Sequence, residues 1–488
     1  MANKWGKMNN PDSWATHEFA DIDFGDKRLN DRLVKLCESF SDAPECSINQ
    51  ACSGWAETKA AYRFFANEKT DYKEIIRAHS LKSSERIQAH KTILAIQDTS
   101  YMIYTNHAAT KGLGEISVKE GKNVKKIYSK GLVSHSCLAV TTDGLPLGIL
   151  DQKTFPRELN SDERKQKKNV TPIEEKESYR WLEMLQNASS LLPDTQVVTV
   201  CDREADMYDF FRLSDTLDSP VLVRANVNRT VNKKSRYAEK AVSKLWDFMD
   251  KKRCRGSYEV NVPVKKNKRN ACTQAARVAA VGVKYSEFFL NPPRNNIKHR
   301  TETLPDLKMY AVYAYEINPP KGVQPLEWML LTNLPVNSFE AACEKIKWYC
   351  LRWRIETYFK VLKSGLKIET CRLGDNNRLA TFIAVMSVVA WRLFMLTLIA
   401  RTDPKAPCNT FIDDQQWKVL YLEIHKGRKL PGKIPEMGNV VRWIAMLGGF
   451  LARAKDGDPG ITTLWRGWKR LVDISRGWNL AKSHPTYG

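Results

Sequence analysis

The sequence predicts an α/β fold: a core of mixed strands and helices, helical regions on either side of it, and a β-rich insertion. Three patterns predict this. Helical periodicity marks the chain up to about residue 75 and again from about Glu340. Short apolar runs bounded by turns alternate with helical stretches from Thr92 onward, and strands of alternating polarity fill about 225–335. At roughly 150 residues per domain, a chain of 488 residues accommodates about three domains. We divide it at 1–75, 76–390 and 391–488.

Taken in order, Asp26 follows Phe24-Gly25 and is placed to cap a helix carrying Leu29, Leu33, Val34 and Leu36 on one side. A second helix covers Trp55 to Phe65. Residues 92–97 (ThrIleLeuAlaIleGln) read as a strand. Val133 to Val140 and Leu145 to Leu150 read as a hairpin closed by Asp143-Gly144. A helical stretch from Glu174 to Leu192 leads into the strand Gln196 to Cys201, and a helix is expected to start at 203–206 (ArgGluAlaAsp). Strands follow at 259–264 and 309–315, then a long helical region from about Glu340 to about Ala400. Within it the apolar run Leu379 to Ala400 is broken by Arg392, and a charge near mid-bilayer costs about 2.5–3.5 kcal/mol, so the run reads as a buried helix. Further helices with Pro- and Gly-rich turns complete the chain.

Charge narrows the class of partner. Lys plus Arg number 77 against 55 Asp plus Glu, so 77 − 55 = +22, a balance that draws polyanions such as nucleic acid. Residues 221–300 hold 20 Lys plus Arg and 5 Asp plus Glu, so 20 − 5 = +15 of the excess lies in that one segment. The 11 cysteines include no CxxC pair, which indicates neither a zinc ribbon nor a disulfide framework and fits a reducing cytoplasm. No apolar stretch of signal-peptide length opens the sequence, so a cytoplasmic protein without a membrane is expected.

Two acids are marked by position. Asp98 directly follows the first strand and Asp202 directly follows the strand 196–201, where open α/β sheets present their functional ends. Two carboxylates side by side would hold a hard divalent cation. The same residues also fit as the cap of a turn at Thr99-Ser100 and as a helix N-cap. A third acid lies in 349–363, read as one helix. At about 100° per residue, Tyr349, Arg352, Glu356 and Lys363 share one stripe, as a metal-binding carboxylate flanked by phosphate-holding cations would require, or as a solvated face would tolerate.

These residues together resemble the bacterial cut-and-paste transposases of the DDE class, the transposon Tn-five and insertion-sequence group above all. Tyr349, Arg352, Glu356 and Lys363 match the Y(2)R(3)E(6)K signature of that group at each spacing, 201–206 (CysAspArgGluAlaAsp) its second-acid block and 95–99 (AlaIleGlnAspThr) its first. Residues 61–65 (AlaTyrArgPhePhe), 316–322 (GluIleAsnProProLysGly), 328–332 (TrpMetLeuLeuThr) and 447–450 (LeuGlyGlyPhe) extend the similarity over nearly the whole chain.

The resemblance implies an RNase H-like core in which Asp98, Asp202 and Glu356 bind two Mg²⁺ ions, with Mn²⁺ able to substitute. It implies hydrolytic nicking at transposon ends, hairpin formation and opening, and strand transfer into target DNA. Trp328 would stack on an extruded base, with Tyr349, Arg352 and Lys363 on the adjoining backbone, while Trp353 is read as packing. Arg28 and Arg32 would contact DNA from the N-terminal end-binding region, although Leu29 stands where the family has another arginine. Arg224 and the run 265–269 (LysLysAsnLysArg) would hold backbone phosphates. The C-terminal region, with its Trp-rich stretch 464–471, would make a homodimer around the two ends in a synaptic complex. An inactive or domesticated DNA-binding relative is the alternative, and a nuclease that cuts without joining a more distant one.

Overall fold

Twelve residues from Thr92 to Ile103 form a single strand, β1, which continues through Asp98 past the end expected at Gln97. β1 also marks a division. In this computed structural model, residues 13–118, 127–157, 171–191, 195–232, 243–262, 265–266, 272–293, 303–453 and 456–483 are described. They form two compact units, one of Met1–Lys91, Thr99–Leu159 and Arg354–Gly488, the other of Thr92–Asp98 and Asn160–Trp353.

In the first unit β2 (Gly114–Val118), β3 (Ile127–Thr141) and the latter part of β1 lie in the order β2-β3-β1, and β4 (Pro146–Phe155) is antiparallel to β3. The β3–β4 turn is the expected Asp143-Gly144 one: Gly144 has φ 95°, which favours glycine, and the Thr141 N–H donates to the Leu145 carbonyl. Asp26 caps the helix Lys27–Asp42 by accepting from the Arg28 N–H at 2.9 Å. That helix buries Leu33, Leu36, Cys37 and Phe40, whereas Leu29 and Val34 are only half-buried, so the apolar stripe lies further round than its first residues suggest. The helix Trp55–Phe65 has the expected bounds.

The apolar run is the core helix Asn376–Thr402, with every side chain from Leu379 to Ile399 buried. It is long and apolar enough to cross a membrane but is enclosed by protein. Arg392 donates to the Phe411 carbonyl at 3.1 Å and lies over the Trp14 ring at 4.7 Å, and burial holds its pKa down to about 10 against the pull of Glu18 and Asp42. The tryptophans of 464–471 also turn inward: Trp465 and Trp468 are buried, and the Trp468 indole donates to the Ser41 carbonyl at 3.1 Å. Their helix, Ile461–Ser483, crosses Met437–Leu447 at backbone contact, where a Cβ on Gly467 would come 1.7 Å from the Ile444 carbonyl oxygen. Gly467→Ala is therefore expected to destabilise the chain by about 1–3 kcal/mol, read as a lowered urea midpoint.

A buried polar cluster joins three further elements of this unit. His79, on the helix Tyr72–Ile87, donates from Nδ1 to Glu18 Oε1 at 2.6 Å, and its Nε2 accepts from the Ile149 N–H of β4 at 2.9 Å. Arg86 reaches both Glu18 oxygens, at 2.9 and 3.0 Å, and the Leu147 carbonyl at 2.7 Å.

The second unit contains the first part of β1 with β5 (Gln196–Cys201) and β6 (Val221–Arg224), all parallel, as an RNase H-like core requires. Antiparallel strands of the insertion extend the sheet: β7 (Thr230–Val231), β8 (Ser243–Lys244), β9 (Gly256–Val262), β12 (Arg277–Leu290), β13 (Leu307–Glu316) and β14 (Glu327–Thr332). The order runs β1-β5-β6-β14-β13-β12-β7-β8, with β9 also on β12, while β10 (Lys265–Lys266) and β11 (Cys272–Gln274) pair separately. Trp181, Phe210, Phe211, Val223, Phe288 and Leu331 fill the core beside this sheet.

Two helical expectations are corrected. Residues 203–206 open with a 3₁₀ turn, Arg203–Ala205, and the α-helix starts only at Tyr208. The region from Glu340 is not continuous: Phe339–Leu351 and Trp353–Lys360 are separate helices, succeeded by a π-helical turn, Val361–Gly365. Arg352 at the break donates its N–H to the Tyr349 carbonyl in an i→i−3 bond, which tightens the turn.

Candidate active site

Parallel pairing of β1 with β5 sets the first two acids. The last ladder pair is Ile96↔Val200, and Asp98 and Asp202 each lie two residues beyond it (96 + 2 and 200 + 2). Side chains at matching positions on adjacent parallel strands share a face of the sheet, so both carboxylates project from the same side where the ladder ends. Asp98 lies within β1, whereas Asp202 acts as an N-cap, accepting from the Glu204 N–H at 2.8 Å.

A cationic and aromatic group adjoins these acids in the same unit. Arg352 donates from Nη1 to Asp98 Oδ2 at 3.1 Å, and its guanidinium lies 6.0 Å from the Tyr349 ring centre. Tyr349 meets Trp328 edge-on at 5.6 Å. Burial pushes the Tyr349 phenol up in pKa, against the opposing pull of Arg352 and Arg224, and the Asp202 charge adds to the rise. Arg224 ends β6 and donates to the Glu327 carbonyl at 2.8 Å. Its pKa is lowered first by burial and further by the like charges of Arg203 and Arg352, while the Tyr349 hydroxyl opposes the shift.

The other expected residues lie in the first unit. Glu356 is half-buried on the helix Trp353–Lys360. Lys363 stands in the π-helical turn, where its Nζ donates to the Tyr101 carbonyl at 2.7 Å and pairs with Glu369 at 3.3 Å. The stripe expected from 349 to 363 is thus divided by the break at Arg352 and the π turn, because a constant 100° step applies only to unbroken α-helix. Among the described residues no three His, Cys, Asp or Glu side chains are grouped closely enough to hold a metal ion. The donors present, two carboxylates at the end of one parallel ladder, are of the hard-oxygen type that a divalent cation takes.

Trp353, read as packing, is 53% exposed, with the Arg352 guanidinium 5.5 Å from its ring centre. Arg28 is exposed and clamped to its own cap residue, Nε and Nη2 donating to Asp26 at 3.1 and 2.9 Å, and Arg32 is half-buried one turn on. Of the run 265–269 only Lys265–Lys266, in β10, falls within the described residues, and the end of the strand expected at 259–264 lies outside them too.

Two residues of the 201–206 block had no role assigned from the sequence. The charge of Arg203 acts on Arg224, helping to lower its pKa. Asp206 is buried, accepts from the Asn226 and Val227 N–H groups at 2.7 and 3.0 Å and pairs with Arg229, fixing the chain that leaves β6. Arg180 braces the same stretch by donating to Glu204 at 2.7 Å. Their signal was the block itself, in which charge recurs at four of six positions.

Three family profiles match in series: "Transposase DNA-binding" at residues 11–70, "Transposase DDE domain" at 180–391 and "Transposase Tn5 dimerisation domain" at 388–488. Among solved structures, a chain of the "piggyBac transposase synaptic complex with hairpin DNA" aligns over 84% of this chain at 9% identity and a TM-score of 0.30. The present chain spans 66% of the length of that one. DDE-class enzymes work with divalent metal ions, and the two acids at the end of the β1–β5 ladder, the signature around Glu356 and the three profiles agree on one assignment. The chain belongs to the Tn5-type DDE transposase family.

Proposed function

We propose that this protein is a DNA transposase that excises and reinserts a mobile element, nicking the transposon ends by hydrolysis, forming and opening hairpins, and joining the freed ends to target DNA. The observation that carries the reading is the matched position of Asp98 and Asp202 at the end of the β1–β5 ladder, with Arg352, Arg224 and Tyr349 beside them. Asp98 and Asp202, with Glu356 as the third acid, would hold two Mg²⁺ ions or Mn²⁺ in their place. Bound there, the ions would supply Lewis-acid activation at phosphorus and neutralise charge on the attacking and leaving oxygens. Arg352, Arg224 and Lys363 would orient the phosphate backbone through charge-assisted hydrogen bonds.

Residues 1–75, with Arg28 and Arg32, would recognise the inverted-repeat ends, and 391–488 would pair two copies in the synaptic complex within the bacterial cytoplasm, at the nucleoid. Incubation with DNA carrying the inverted repeats that flank the gene tests this: Mg²⁺-dependent double-strand breaks and a hairpin species are expected, both absent with EDTA. Binding without cutting in Mg²⁺ would overturn it.

Trp328 packs edge-on against Tyr349 and is half-buried, and it would stack on an unstacked base. Stacking of this kind contributes about 1–3 kcal/mol per base. Trp328→Ala is expected to slow hairpin formation by about 10- to 100-fold in single-turnover gels while first-strand nicking changes little.

A further inference from the structure

The two acids stand among guanidinium groups. Arg352 occupies the Asp98 carboxylate at 3.1 Å, with the two side chains only 13% and 16% exposed. Arg224 feels the charges of both Arg203 and Arg352. The first acid is thus already engaged by a cation. A divalent cation approaching Asp98 therefore meets like charge and has to displace a charge-assisted hydrogen bond. A phosphodiester relieves both obstacles, because a guanidinium binds phosphate oxygens in the same forked geometry it uses for carboxylates. Position favours Arg352 as the group that moves. Arg352 is the guanidinium on Asp98, and it sits at the break between two helices.

We infer that Arg352 is a positioning residue that exchanges Asp98 for a DNA phosphate, so that the free protein binds divalent cation weakly and DNA binding raises the affinity. By linkage, the cation raises affinity for DNA by the same factor. The inference rests on the reading of Asp98 and Asp202 as metal carboxylates given above.

The test is Mn²⁺ binding to the full chain, with free Mn²⁺ read by electron paramagnetic resonance, so that no catalytic turnover is needed. Without DNA, Arg352→Gln is expected to bind Mn²⁺ about tenfold or more tighter than wild type, within the range usual for coupled sites. Arg352→Lys, which keeps the charge, should stay as weak as wild type, separating loss of charge from loss of structure. A short mixed-sequence duplex at low salt, corrected for Mn²⁺ bound by the DNA alone, should tighten binding to wild type and change Arg352→Gln little. Adding Asp98→Asn to Arg352→Gln should remove the tight binding. If Arg352→Gln binds no tighter than wild type while Asp98→Asn weakens binding, the exchange is overturned and the metal reading stands. If Asp98→Asn changes nothing in either background, the metal reading itself fails.

Discussion

Asp202→Asn is expected to cut transposon-end DNA on the order of 10³-fold more slowly than wild type, with end binding in a gel shift run without divalent metal almost unchanged. A positioned metal ion contributes several kcal/mol of transition-state charge stabilisation, and about 4 kcal/mol corresponds to three decades in rate. Asparagine is the informative replacement because the Asp202 side chain has a second duty, capping the Arg203–Ala205 turn through the Glu204 N–H at 2.8 Å. The amide oxygen of Asn can keep that hydrogen bond while the charge is lost. Alanine would remove both and confuse loss of metal with loss of the turn, a cap being worth about 1 kcal/mol. Asp98→Asn should lose activity to the same extent, and Glu356→Gln likewise if Glu356 is the third acid. Cleavage by Asp202→Asn within tenfold of wild type would show that the carboxylate at the end of β5 has no part in the chemistry.

The range of each signal decides whether the sequence conveys it. The Asp143-Gly144 hairpin and the Asp26 cap were legible because each depends on neighbours within a few residues. The pairing of Asp98 with Asp202 was legible because both follow apolar runs of the same length, and the β1–β5 register keeps their spacing of 104. The partner of Arg352 was not legible: Asp98 is 254 residues away, and no periodicity encodes such a contact. The helix break at Arg352 and the π turn at Val361–Gly365 were missed because the wheel assumes a constant step, and the same assumption placed Trp353 on a packed side when it is exposed. The buried cluster of Glu18, His79 and Arg86 gave no signal, since polar residues at interior positions look like surface in a hydrophobic pattern.

That cluster carries the largest expected effect on stability. Glu18→Ala should lower the unfolding free energy by about 3–5 kcal/mol at pH 7.5, because it leaves a buried guanidinium without its counter-charge. Burial alone would raise the Glu18 pKa, yet Arg86 and His79 hold it well below the carboxylate range. The short His79–Glu18 contact has the geometry of an ion pair, but the imidazole in it is neutral: Nε2 accepts from the Ile149 N–H, which a protonated ring could not do. Burial, the main cause, accordingly lowers the His79 pKa below its ordinary 6.5, with Glu18 opposing. Both folded-state values are depressed, so the stabilisation is present at neutral pH and is lost on acidification. Below about 6.5 the unfolded chain takes a proton on His79 that the folded chain refuses, and below about 4.5 Glu18 adds the same penalty. Urea midpoints measured between pH 8 and pH 5 should be flat at the upper end and fall below pH 6.5. His79→Gln should remove much of that fall. A midpoint independent of pH over this range, or a Glu18→Ala variant as stable as wild type, would mean that the cluster does not hold the helix Tyr72–Ile87 against β4 in the way its hydrogen bonds indicate.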